Sequence, residues 1–306
     1  MSLFRANGPE DAPRPDETPV LEGALGSGPA SGEEREAPLR RVPHIGHALV
    51  FISFTGVLLV LLELVLAALG RAPGTEHGGV ATLLHPKMQL ATMAATYLSS
   101  LLAAWFFFPL LWQRGFLDGL SWRWATARNQ AAKLIALGLL LGVMVQIATN
   151  FITPPKSRPI DAFFLTQTDA WLITLFGTIV APIFEEVCFR GFLLPAFAIA
   201  YDWLSLPRTG DARARWQTTT TLTPAALIFS AVLTSLFFAL LHFQQVAHLW
   251  AAMLVLFTIS LVLTFVRVKT GSVAASVLVH GAYNGFVFLV VIIQTGGYRH
   301  LERMTK

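Results

Sequence analysis

Runs of about twenty apolar residues alternate with short polar breaks over most of the chain, and that is the length an α-helix needs to cross a bilayer core of roughly 30 Å. The pattern predicts spans at about Ile45–Leu69, Met88–Trp112, Ala132–Ile152, Trp171–Leu194, Ala225–Phe243, Leu249–Val266 and Ser272–Ile293. An eighth apolar piece around Phe163–Phe164 reads as interfacial. A transmembrane β-barrel would show segments of about ten residues with alternating hydrophobicity, which this chain lacks. The expected fold class is therefore all-α, a polytopic transmembrane helix bundle of about seven or eight spans. No internal repeat is visible, which argues against an inverted-repeat transporter.

Composition agrees with that reading. The 306 residues are 54% hydrophobic and 13% charged, with a mean hydropathy of +0.60, far too apolar for an ordinary water-soluble domain. Cys188, the single cysteine, has no intrachain disulfide partner and no neighbouring thiols to hold a structural zinc.

Residues 1–42 differ in kind. They hold six of the 17 prolines and eight acidic residues against five arginines, so they carry net −3 and leave the remainder at +7. Such a segment is expected to be a disordered, acidic, Pro-rich cytoplasmic tail. No apolar h-region opens the chain, so the first hydrophobic helix is expected to act as the export signal. Residues 43–152 then read as N-terminal transmembrane helices, 160–295 as the membrane domain bearing the chemistry, and 296–306 as a basic C-terminal tail. Lys and Arg in the short loops favour a cytoplasmic N-terminus, and the inner membrane of a bacterium is the expected location.

An ionisable group inside a span costs at least a few kcal/mol and survives mainly by facing a cavity or a partner. Three clusters qualify. The fourth span carries Glu185, Glu186 and Arg190; the fifth carries Phe238 and His242; the seventh carries His280 and Asn284. Glu186 and Arg190 are four apart and share a helix face, so they are expected to pair. Glu185 lies about 100° away around the helix and has no intrahelical partner. A carboxylate and two imidazoles converging in a desolvated cavity activate a water as general base or bind a divalent metal that does so. Helix–helix hydrogen-bond glue explains a lone intramembrane histidine better than chemistry does, but it explains the full set poorly.

The constellation E-E-x-x-x-R, F-x-x-x-H, H-x-x-x-N, in that order, resembles the CAAX-protease and bacteriocin-processing family of intramembrane endopeptidases, also called Abi/Rce1-like. All three motifs match without substitution, over about Trp171 to Ile293. The resemblance implies proteolysis of a membrane-embedded or lipid-anchored protein or peptide, with the bilayer as partner and no nucleic acid. It implies Glu185, His242, His280 and Asn284 as catalytic residues, the first two activating water and the last two stabilising the oxyanion. Glu186, Arg190 and Phe238 would support the site. If a metal is used, Glu185, His242 and His280 would bind zinc; with no H-E-x-x-H helix present, a cofactor-free glutamate mechanism is the expectation. An ion- or proton-coupled transporter is the alternative from another class, and a non-catalytic scaffold or immunity protein is the alternative within the family.

Other residues invite blander readings. Cys188 sits on a different face from Glu186 and Arg190 and is expected to pack. Glu63 is expected to cap or bridge helices, and His248 to lie in a solvated turn. Trp105, Trp112, Trp122 and Trp124 are expected to anchor a span end at the interface. Helical rise sets one conflict: Glu185 falls roughly 21 Å from Trp171 and His280 roughly 12 Å from Ser272, whereas His242 falls roughly 27 Å from Pro224. On these boundaries His242 sits near the opposite membrane face, so the fifth span must start below the interface or the spans must be redrawn.

Overall fold

The computed structural model describes residues 41–69, 86–152 and 159–305. The expected tail lies outside them except for Arg41 and Val42. The described residues are helical, without strands. The helices are α1 (Ile45–Leu69), α2 (Pro86–Trp112), the short α3 (Phe116–Gly119) and α4 (Trp124–Asn129), α5 (Ala131–Thr149), α6 (Gln167–Ser205), α7 (Gly210–Thr218), α8 (Pro224–Leu241), α9 (Trp250–Thr270) and α10 (Val273–Gln294). Seven of them, α1, α2, α5, α6, α8, α9 and α10, are long and apolar enough to cross a membrane. The piece around Phe163–Phe164 is a 3₁₀ turn, Pro159–Phe164, packed against the start of α6.

Apolar surface does not drive these helices together in lipid, so close packing and polar contacts do. Gly138 and Gly142 on α5 show the first. A Cβ at Gly138 would stand 2.5 Å from the Val279 carbonyl oxygen, and one at Gly142 would stand 2.4 Å from the Phe286 ring, so only glycine lets α5 lie this close along α10.

The fourth span differs from its expected bounds. It continues from Gln167 to Ser205. It is also not a uniform α-helix, since Phe176–Val180 and Val187–Leu193 are π-helical and flank the α-helical turns of Ala181–Glu186. Near its end, Asp202 accepts hydrogen bonds from the backbone N–H (2.9 Å) and hydroxyl of Thr223, whose hydroxyl also caps α8. This clamp fixes the register of two antiparallel helices and removes the depth conflict. Glu185 lies about 25 Å before Asp202 and His242 about 28 Å after Thr223, so both arrive at one level. The error was to end the fourth span at Leu194, which left the start of α8 without the helix it runs beside.

Tryptophans divide. Trp105 and Trp124 are exposed, as interface anchors are, but Trp112 is 1% exposed and packs on Phe108, Phe116 and Phe192, while Trp122 is half-buried against the core. The C-terminal segment folds back instead of trailing: Thr174 and the buried Tyr298 share a hydroxyl hydrogen bond of 2.6 Å, and Gln167 donates to the Gly297 carbonyl (3.0 Å). Glu63 is exposed on α1, where neither the expected cap nor a bridge forms among the described residues. His248 is exposed in the turn after α8, and Cys188 is buried in the core beside Val187 and Phe189.

Candidate active site

Glu186 and Arg190 are both fully buried and joined by a 2.9 Å hydrogen bond from Arg190 Nη1 to Glu186 Oε1. The pairing four residues apart thus survives the change from α to π geometry. Arg190 Nη2 reaches across to α9 and donates to the carbonyl (2.8 Å) and hydroxyl (2.6 Å) oxygens of Ser260. Its guanidinium lies 5.1 Å from the Phe238 ring centroid, a cation–π contact that gives the motif's phenylalanine a physical task. A buried guanidinium needs several partners to offset lost hydration, and here it has a carboxylate, two oxygens and an aromatic face.

The pair reaches the seventh span through His280, 2% exposed. Its Nδ1 lies 2.8 Å from Glu186 Oε1, the same oxygen that Arg190 uses. With Nδ1–H donating to that carboxylate, Nε2 faces Glu185 Oε2 at 3.8 Å. Glu185, expected to lack an intrahelical partner, thus has an interhelical neighbour.

His242 follows the last residue of α8 and caps it. Its Nδ1 is 2.7 Å from the Phe238 carbonyl oxygen, which accepts, so the neutral ring carries its proton on Nδ1 and leaves a lone pair on Nε2. The four-residue motif spacing is what makes this bond, by bringing the histidine over the carbonyl one turn earlier. The Phe238 ring also lies tilted beside His242 (4.5 Å) and meets His280 edge-on (6.0 Å).

Asn284 donates Nδ2 to the carbonyl of Gly177, 2.7 Å away in the first π segment. One of its two amide hydrogens is thereby used and the other is left over. Functional sites often sit at π segments, which redirect backbone carbonyls and side chains away from the ordinary helical ladder.

Glu185, His242, His280 and Asn284 all line one cavity of about 290 Å³, and Glu186 and Arg190 back it without lining it. Its remaining wall is mainly apolar, including Phe176, Leu256, Ile259 and Phe288. Tyr97, Tyr283 and Gln245 line it too and were not singled out from sequence, nor was Ser260. Tyr283 could have been noticed between His280 and Asn284; Tyr97, on α2, carries no such signal. A larger cavity of about 510 Å³ around Asp202, Arg215 and Trp216 contains none of the motif residues.

Among the described residues no three His, Cys, Asp or Glu side chains are grouped closely enough to hold a metal ion.

The fold and site together define a multi-pass membrane protein with a carboxylate–histidine centre buried among its helices. Residues 167–286 match the family model described as type II CAAX prenyl endopeptidase Rce1-like, so this segment is similar to the domain of that family. The match runs from the start of α6 into α10 and contains every motif residue named above. No curated protein and no solved structure matches the chain.

Proposed function

We propose that this protein is an intramembrane endopeptidase that hydrolyses peptide bonds of membrane-embedded or lipid-anchored substrates with a water activated by Glu185 and His242. The observation that carries this reading is the opening of four polar motif side chains, from the fourth, fifth and seventh spans, onto one largely apolar cavity. His242 keeps a lone pair on Nε2 because Nδ1 is committed to Phe238. A water between that nitrogen and the Glu185 carboxylate loses a proton as it attacks the scissile carbonyl, and the same proton passes to the departing amine, so peptide and water become acid and amine.

The tetrahedral oxyanion needs donors already in place. Asn284 has its second amide hydrogen, and His280 has Nε2–H whenever its ring carries both protons. Glu186 and Arg190 touch no substrate in this scheme; they are positioning residues that hold His280 through Nδ1. Apolar walls keep bulk water from the intermediate and suit an apolar substrate segment.

The test uses the purified full chain in lipid nanodiscs with a prenylated peptide ending in a CAAX sequence. Cleavage by the unaltered chain, lost in His242→Ala with the protein still folded, supports the reading. An intact peptide together with proton or ion flux into liposomes favours a transporter.

A further inference from the structure

At one end of the bundle two arginines stand at the same turn, and no ion pair among the described residues reaches either. Arg267 lies in the last turn of α9, and Arg123 precedes α4. Gly271 ends α9 at φ 63°, and a Cβ there would stand 3.3 Å from Arg123 Nη1, so this guanidinium lies over the α9–α10 turn. The backbone holds it there: Ser272 Oγ donates to the Arg123 carbonyl (3.0 Å), and the Val273 N–H donates to that of Ser121 (3.2 Å). Arg267 lies one helical turn before Gly271 and on the same face, so its side chain starts beside the turn that Arg123 covers. Neither guanidinium makes an ion pair or a hydrogen bond among the described residues, and Arg267 Nε is buried with no acceptor. Asp118, the nearest acid in sequence, turns its carboxylate toward Gly115.

Like charges held together in partial burial repel, and their attraction to the α9 C-terminus offsets this only in part. A helix end supplies about half a negative charge, whereas Lys269 in the same turn adds a third cation. The arrangement is complete once an anion sits between the guanidiniums. Its depth indicates which anion. Arg267 is three residues from the end of a span, and exposed Trp124 with half-buried Trp122 flanks Arg123, the aromatic pattern of the headgroup level. Basic pockets between transmembrane helices at that level suit lipid phosphates.

We propose that Arg123 and Arg267 form a binding site for the phosphate of an anionic phospholipid at the junction of α4, α9 and α10. The site shares no residue with the peptidase centre and does not depend on that reading.

The experiment measures thermal unfolding and lipid retention by native mass spectrometry for the full chain in phosphatidylcholine, in phosphatidylglycerol of the same acyl chains, and in phosphatidylcholine with inorganic phosphate. In phosphatidylcholine, Arg267→Gln unfolds no earlier than the unaltered chain, because the change removes repulsion. In phosphatidylglycerol the order reverses: the unaltered chain is stabilised, while Arg267→Gln and the exposed Arg123→Gln are not and retain the lipid about tenfold less or worse. Equal stabilisation of all three chains by phosphatidylglycerol overturns the site. Inorganic phosphate matching phosphatidylglycerol overturns its assignment to a lipid. Should Arg267→Gln fail to fold in either lipid, Arg123→Gln decides the question alone, and retention equal to the unaltered chain's counts against the site.

Discussion

His280 and Glu186 meet across two spans, Nδ1 to Oε1 at 2.8 Å, and the same carboxylate oxygen accepts Arg190 Nη1 at 2.9 Å. Glu186 thus joins the fourth span to the seventh, and through Arg190 and Ser260 to the sixth. Removing it leaves a buried guanidinium without its counter-charge. Glu186→Ala is expected to cost about 3–5 kcal/mol, read as lost folded yield in detergent. The double change Glu186→Gln with Arg190→Gln should recover part of that yield. If the double variant folds as poorly as the single ones combined, the two residues do not act as a pair.

Phe238 packs against Arg190, His242, His280 and Phe189 at once. Phe238→Ala is therefore expected to lose about 3–5 kcal/mol of stability through the cavity it leaves. Phe238→Leu keeps most of the volume and loses the aromatic face, so its unfolding temperature should fall much less. Equal losses in the two variants would show that volume is not what the position supplies.

The Asp202–Thr223 clamp sets how far α8 reaches along α6. Asp202→Ala leaves the Thr223 N–H and O–H without their acceptor at about 1–3 kcal/mol, measurable by thermal unfolding. Thr223→Ala also removes the helix cap, and the two changes together should cost less than their sum because they delete one shared interaction. Strict additivity would contradict the clamp.

Cys188 is 9% exposed in the aromatic core. A maleimide reagent is expected to leave it unmodified in the folded chain and to label it once per chain in denaturant, with Cys188→Ala retaining turnover. Loss of turnover in a folded Cys188→Ala would point to a thiol mechanism instead.

Dialysis against a strong chelator should leave turnover unchanged. Activity that disappears with the chelator and returns with stoichiometric zinc would contradict the glutamate scheme and require Glu185, His242 and His280 to move together as ligands.

What was readable in advance follows from what leaves a mark in residue identity. Ionisable residues inside apolar runs stand out, and the spacing of four that pairs Glu186 with Arg190 and seats His242 on the Phe238 carbonyl is a helical regularity. The seven spans were legible for the same reason. The π segments were not, because a change from i+4 to i+5 bonding is settled by packing around Phe176–Val180 and Val187–Leu193 and has no composition of its own. The length of α6 was missed because the stretch around Tyr201, Asp202 and Trp203 is amphipathic, so the apolar run ends before the helix does. Ser260 looked like any polar residue in a span until Arg190 reached it. The Gly138-x-x-x-Gly142 spacing was not singled out, although it marks the tight α5–α10 contact.

Glu185 carries the central claim, and Glu185→Gln tests it most directly, since the change keeps the shape of the side chain and removes its charge. Single-turnover cleavage of a prenylated CAAX peptide by the folded variant in nanodiscs is expected to fall by about 10²–10⁴-fold, with the unfolding temperature unchanged or higher. Cleavage at the rate of the unaltered chain would contradict the account.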